Sequence, residues 1–359
     1  MDELTLLRTV HDDIADPTPE VLDQGRRALV EHIGSQRSRA RSHRGLKRTG
    51  LIGGGTIAAA AIVAALVVTN VVGLAGWRGG AEPAAAEALG DAAAAAIKTS
   101  DPAVGAGQYL KVSTQAVYSV EGDDGTGHGA AYLATQNGQM YVPADHNDEW
   151  VWVRDPSAVV QTFGAASERA AATAEQGASN APEIVRAAKG AWYNGKPTEW
   201  DFASLPRDPQ QLLNYIYRVT AGSGVSVDGE ALVFIADTLR TGVVPADLRA
   251  ALYRAAAGIP GVTITDRTAT LDGHTGIAFG RDEGNGVRQE IIIDPSTGLL
   301  IGERQILLRN GVLPGVDAGE SMGWTAVTTT VVNSAPTGGS LCGTGSRPVG
   351  GAGSGQCQG

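Results

Sequence analysis

Hydrophobic and polar positions change their spacing several times along this chain, and each change marks a different kind of element. Residues 49–77 contain no Asp, Glu, Lys or Arg, an uncharged run of 29 residues. A helix needs about 20 apolar residues to cross a hydrocarbon core of about 30 Å. Residues 51–74 hold three Leu, three Ile and five Val. On a membrane-insertion scale those side chains contribute roughly −3 to −7 kcal/mol. No polar face interrupts the run, so the pattern predicts a transmembrane helix over 51–76, with Trp77 at the interface. Before it, residues 1–34 follow the 3.6-residue period. Leu4, Leu7 and Val10 or Ile14 share one face, and Val21, Leu22, Leu29 and Ile33 share another. Thr18 and Pro19 mark the start of the second helix as cap and first helical residue. Two such short helices bury too little surface to fold robustly alone, which leaves an apolar face for a partner.

After the span, residues 82–97 are Ala-rich and helix-prone, and the segment 77–107 reads as a linker or helix. Alternation with period two then appears at 108–120, where Leu110, Val112 and Thr114 oppose Tyr109, Lys111 and Ser113. Further strands are predicted within 130–142 and at 150–154. Residues 162–188 are polar and weakly patterned, and predict a loop with some helix. Three helices follow. Asp208-Pro209 opens the first, with Leu212, Leu213, Ile216 and Tyr217 on one face. Residues 230–239 and 245–257 give the other two. From Val262 the period returns to two, and the strands 262–265, 276–279, 287–293 and 299–308 predict an antiparallel meander. Asp272-Gly273, Gly284-Asn285-Gly286 and the Asp294-Pro295-Ser296-Thr297-Gly298 stretch supply its turns. Residues 324–332 add a last strand. Runs of strands, then helices, then strands indicate an α+β domain over 108–335, with an antiparallel sheet and packed helices. The Gly/Ser-rich residues 336–359 read as a disordered tail.

Charge gives this plan an orientation. Arg37, Arg39, Arg41, Arg44, Lys47 and Arg48 precede the span without an acid among them, and only Arg78 follows it before Glu82. The positive-inside rule places residues 1–50 in the cytoplasm and the C-terminal domain outside the cell membrane. The juxtamembrane basic run also suits anionic lipid head groups. Over all 359 residues the net charge is −10, which argues against a nucleic-acid partner. At 43% hydrophobic and 18% charged residues the chain is too apolar to be disordered throughout.

The sequence offers little reactive chemistry. There is no Gly-x-Ser-x-Gly elbow and no His-Glu-x-x-His helix, so no enzyme, cofactor or metal site is expected. Asp145-His146-Asn147-Asp148-Glu149 lacks the calcium-loop spacing and reads as a solvated acidic turn. The only two cysteines, Cys342 and Cys357, lie on the oxidising side of the expected topology, where a disulfide is permitted. Trp150 and Trp152 fall on one face of their strand. With Met140 and Trp192 they form either a core cluster or the wall of an apolar ligand site.

One succession of segments resembles a known family. It comprises Leu205-Pro206-Arg207-Asp208-Pro209, then Leu248-Arg249-Ala250-Ala251-Leu252-Tyr253-Arg254, then Ile259-Pro260-Gly261-Val262, then Ile293-Asp294-Pro295-Ser296-Thr297-Gly298-Leu299-Leu300-Ile301-Gly302-Glu303. It is similar to an actinobacterial family of single-pass membrane proteins, often encoded beside extracytoplasmic-function sigma factors and regarded as anti-sigma-type regulators. The resemblance implies a signalling protein that couples an extracytoplasmic domain to a cytoplasmic partner, such as a sigma factor held at residues 1–50. It also implies an outer domain likened to the half-barrel of periplasmic lipoprotein carriers. Residues 1–50 contain no Cys, and so lack the His-x3-Cys-x2-Cys motif of zinc-binding anti-sigma domains. The alternative is an envelope binding module for a lipid or lipoprotein ligand, with the span as its anchor.

Protease added to intact cells should digest the segment after residue 78 and spare residues 1–50, and carbonate washing should leave the protein in the membrane. Protection of the C-terminal segment, or release by carbonate, would contradict the topology.

Overall fold

The computed structural model describes residues 79–123, 126, 129–177, 179–192 and 202–342. The expected cytoplasmic helices, the basic run from Arg37 to Arg48, the expected span over 51–76 and Cys357 lie outside them. Among the described residues no helix is long and apolar enough to cross a membrane.

The longest strand organises the sheet. Strand β1 (Tyr109–Asp123) pairs along one edge with β11 (Ser321–Val332), in antiparallel register from Tyr109 opposite Val332 to Tyr118 opposite Gly323. Its other edge is shared. The first half pairs with β3 (Gly138–Pro143) and the second half with β2 (Gly129–Thr135). Where the sheet forks, the Ala116 amide donates to Asn137 Oδ1 at 2.9 Å, so a side chain supplies an acceptor at the junction. Beyond β3 lie β4 (Glu149–Arg154), β6 (Glu183–Ala188) and the two-residue β12 (Ser340–Leu341). Beyond β11 come β10 (Leu300–Leu307), β9 (Val287–Ile293), β8 (His274–Asp282) and β7 (Thr263–Leu271), the meander expected from the sequence. Strand β5 (Val159–Thr162) pairs with β2 alone. All pairings are antiparallel except that of β12 with β6, so the domain is α+β around an antiparallel-rich sheet.

Helix α1 (Pro83–Lys98) starts with Pro at its first turn and buries Ala85, Leu89, Ala92, Ala93 and Ala96. That stripe of small residues packs in the same core as α5 (Ala246–Ala256), which buries Leu248, Leu252 and Tyr253. The segment expected as a linker or helix is thus helical, and it belongs to the domain core. Helix α2 (Ala165–Gly177) lies against β2 and β5. In α3 (Pro209–Val219) the Asp208 carboxylate accepts from the Gln211 amide at 2.9 Å, the expected cap, and Leu212, Leu213 and Ile216 face inward. Helix α4 (Val227–Arg240) starts earlier than its apolar pattern suggests, because Ser226 Oγ accepts from the Gly229 amide at 2.9 Å.

Helices α1, α3, α4 and α5 cover Phe279 of β8 and Ile291 and Ile293 of β9. Ile292 points the other way, into a second cluster with Ala269, Leu271, Ala278, Ile301 and Ala326. Both faces of β9 are thus buried, which accounts for its unbroken Ile291-Ile292-Ile293 run. Glu290 shares the face of Ile292 and is fully buried, held by Arg288 Nε and Arg304 Nε at 2.6 Å each.

The polar 162–188 segment, expected as mostly loop, contains α2 and β6. The buried face of α2 is made of Ser167, Ala170 and Ala171, too weak a contrast to register as amphipathic. Strand β6 depends on pairing with β4, a non-local condition that its own residues do not announce. The tail expected from 336 begins instead with β12 on the edge of β6.

Two glycines at positive φ separate packing from backbone strain. A Cβ at Gly298 (φ 65°) would lie 2.4 Å from Ala92 O and 2.5 Å from Ala96 N of α1, whereas one at Gly273 (φ 79°) would meet open space. The left-handed backbone alone costs an L-residue about 1–2 kcal/mol. Gly273→Ala should lose about that much in denaturant unfolding, and Gly298→Ala clearly more. Equal losses would contradict the wedge against α1.

Candidate functional site

A cavity of about 510 Å³ lies between the helical layer and the middle strands of the sheet. Its wall comes from the exit of α1, the end of α4 with the α4–α5 connection, Arg249 of α5, the β9–β10 turn, the facing residues of β1, β10 and β11, and His146 and His274. Gly242 (φ 73°) lets the α4–α5 connection press on the sheet, since a Cβ there would come within 2.8 Å of Val112 Cγ1. On the opposite rim Thr99 Oγ1 donates to Thr297 O at 2.7 Å, tying the end of α1 to the β9–β10 turn. Tyr253 Oη donates to Gly298 O at 2.9 Å beneath that turn, and full burial raises its phenol pKa. Apolar groups form most of the wall, among them Leu110, Val243, Val244, Leu300 and Val327.

Polar and charged side chains also line the wall. Arg249, in the second turn of α5, is 8% exposed. Its Nη1 donates to Val244 O at 2.7 Å and its Nη2 to Asp101 Oδ1 at 3.1 Å, while its Nε has no partner. Asp101 Oδ2 accepts from the amide of Ala246, the first residue of α5, at 2.9 Å. A loop carboxylate thus bridges a helix N-terminus and a buried guanidinium. Asp294 also reaches the cavity, but Ser296 N, Ser296 Oγ and Thr297 Oγ1 hold its oxygens at 2.7–2.8 Å and keep its pKa below the usual carboxylate range against the opposing effect of burial. His146 and His274 also line the cavity, as do Ser100, Thr328 and Thr329. Burial lowers the pKa of His146, with a smaller opposing effect from Asp145.

The four residues proposed from the sequence as core or ligand wall do come together. Trp150 is 1% exposed, its indole N–H bonded to His146 O at 3.0 Å, and it packs with Leu110, Val112, Val142, Val185 and Trp192. Met140 and Trp152 pack against the same cluster, and Trp152 meets Trp192 edge-on at 5.6 Å between ring centroids. None of the four lines the cavity. They stand behind it, joined to it through Leu110 and Val327, which belong to both. Cys342 is disulfide-bonded and packs at the edge of this cluster, and its expected pairing with Cys357 reaches beyond the described residues. The acidic turn before β4 is occupied with itself, Asp145 Oδ1 accepting from Asn147 N and Nδ2 at 2.9 Å each. Among the described residues no group of three or more His, Cys, Asp or Glu is arranged to hold a metal ion.

Sequence reasoning missed a polar network under the end of α4, buried at Glu303, Gln289 and Thr325 and open to solvent at Asp237. Arg240 Nη1 lies 3.3 Å from Glu303 Oε1 and 3.1 Å from Tyr118 Oη, and Arg240 Nη2 is paired with Asp237 at 2.8 Å. Tyr118 Oη is bonded to Thr325 Oγ1, and Gln289 Nε2 donates to Glu303 Oε2 at 3.0 Å. Burial pushes the Glu303 carboxyl up from 4.5 to about 7, with Arg240 opposing and Asp237 assisting. The only hint in the sequence was a charged residue within the apolar period of β10.

No protein-family model matches the chain, and no curated protein does. Among solved structures, the crystal structure of a DUF1329 family protein from Desulfovibrio piger aligns with 68% of this chain and 92% of its own, at 11% identity and a TM-score of 0.17. A superposition this loose bears no argument about function.

The raised pKa of Glu303 makes stability depend on pH. Between pH 4.5 and about 7 the folded state holds a proton that the unfolded chain has released, so stability falls as pH rises through that window, by up to about 3 kcal/mol. Glu303→Gln should flatten this part of the pH–stability curve. An unchanged slope in the variant would contradict the assignment.

Proposed function

We propose that this chain is a membrane-anchored binding protein of the cell envelope, whose extracytoplasmic domain holds the apolar chain of a lipid or lipoprotein. The observation that carries this reading is the cavity of about 510 Å³ between helices and sheet. Its volume falls in the range of about 300–1,000 Å³ typical of small-molecule sites, and its wall is mainly aliphatic with a few convergent polar groups. A half-barrel of the lipoprotein-carrier type, with helices on the inner face of the sheet, would place an acyl chain in this position. The reading assigns the protein binding rather than catalysis.

A signalling role adds a cytoplasmic partner to the same domain. It is supported by the two amphipathic segments within residues 1–34 and the basic run that follows them. In that arrangement the outer domain senses its ligand, and residues 1–50 hold a regulator such as a sigma factor. Replacing residues 51–76 by an unrelated span separates the roles. Ligand binding should survive the exchange, whereas a signalling role requires regulation of the partner to weaken.

The full chain, extracted gently from its membrane, should carry an acyl-chain lipid detectable by mass spectrometry of an organic extract. Val243→Trp, which fills the cavity from the α4–α5 connection, should deplete that lipid at least severalfold without a large change in melting temperature. Equal lipid in both proteins, or none in either, would contradict the reading.

A further inference from the structure

Arg249 is the one guanidinium among the described residues that line the cavity, and its environment is unusual. Arg249 is 8% exposed and lines the wall. A guanidinium carries five N–H donors. Here Val244 O and Asp101 Oδ1 accept from Nη1 and Nη2, and Nε is buried without a partner. The one opposing carboxylate comes from a loop, its side chain 43% exposed, and it contacts the guanidinium through a single oxygen. The other oxygen takes the Ala246 amide at the start of α5. A buried cation so sparsely paired is costly, and the helix N-terminus beside it favours an anion that meets the guanidinium more fully than Asp101 does through one oxygen. Asp294, the other carboxylate at the cavity, is held by its own turn through Ser296 and Thr297 and does not reach Arg249 with any hydrogen bond.

We infer that the cavity takes a single-chain amphiphile with a carboxylate head, such as a long-chain fatty acid, and that the head replaces Asp101 on Arg249 and the α5 N-terminus. Asp101 is then the internal stand-in for the ligand's head group. The chain lies against Leu110, Val243, Leu300 and Val327, and its burial drives the exchange. Displacement frees the loop that follows α1, because Asp101 is the residue that fastens this loop to α5. This inference rests on the binding reading above and specifies the ligand class of that site.

The test is photolabelling of the full chain in its own membranes by hexadecanoic acid bearing a diazirine on the chain, compared with the alcohol of the same chain. Labelled peptides are identified by mass spectrometry. The acid should label the peptides containing residues 239–249 and 326–329 more strongly than the alcohol. Asp101→Asn, a half-exposed and conservative change, should raise the ratio of acid to alcohol labelling roughly tenfold. Arg249→Met should bring the acid down to the alcohol's level, with the thermal unfolding curve checking that the variant folds. Acid and alcohol labelling these peptides equally, in both the natural chain and Asp101→Asn, would overturn the carboxylate assignment and leave the apolar site intact. Labelling of these peptides by neither probe would overturn the binding reading together with it.

Discussion

One close contact fixes the architecture around the cavity: the β9–β10 turn driven against the backbone of α1. Gly298 occupies it because no side chain fits between the turn and Ala92 O and Ala96 N. Two hydrogen bonds lock the same turn, from Thr99 Oγ1 to Thr297 O and from Tyr253 Oη to Gly298 O. The small residues of α1 allow it to lie near α5, and the turn then determines where α1 ends. Thr99 to Pro102 must leave the helix there and pass over the first turn of α5, where Asp101 meets Ala246 and Arg249. The rim of the cavity is therefore a consequence of backbone packing, and its chemistry is a consequence of which loop residue arrives at α5.

The opposite wall is set by a polar network together with the close approach of Gly242 to Val112. Arg240 at the end of α4 is drawn to Glu303, Tyr118 and Asp237, and it positions the residues that follow, Gly242 to Pro245, over the sheet. Burying a carboxylate beside Asp237 is unfavourable enough to hold Glu303 near neutrality, and only Arg240 and Gln289 offset it. A purely apolar contact would be more stable, but it would not select one position for α4. The same contrast appears on the other face of the sheet, where Glu290 is enclosed by Arg288 and Arg304.

Most of the element order was legible in the sequence, for local reasons. Asp208-Pro209 announces α3, the change from a period of 3.6 to two at Val262 announces the meander, and the turn sequences around Gly273 and Gly298 divide its strands. What escaped was non-local. Strand β6 exists because β4 offers it an edge, α2 buries alanines that barely differ from its exposed ones, and the fork of β1 depends on Asn137 reaching back across the sheet. The aromatic set packs together but stands behind the cavity. Its strand alternation places Trp150 and Trp152 on a common face without saying how far that face extends. Arg249 and Asp101 could not be paired from sequence, since 148 residues separate them and no spacing rule links the two.

The central claim is that this cavity opens and refills around an apolar chain while the surrounding core stays fixed. Hydrogen exchange of the full chain with and without saturating hexadecanoic acid tests it most directly. The account predicts altered exchange confined to residues 99–102 and 241–249, with the amides of β9 and α3 unchanged. Identical exchange in those two segments with and without the acid would contradict it.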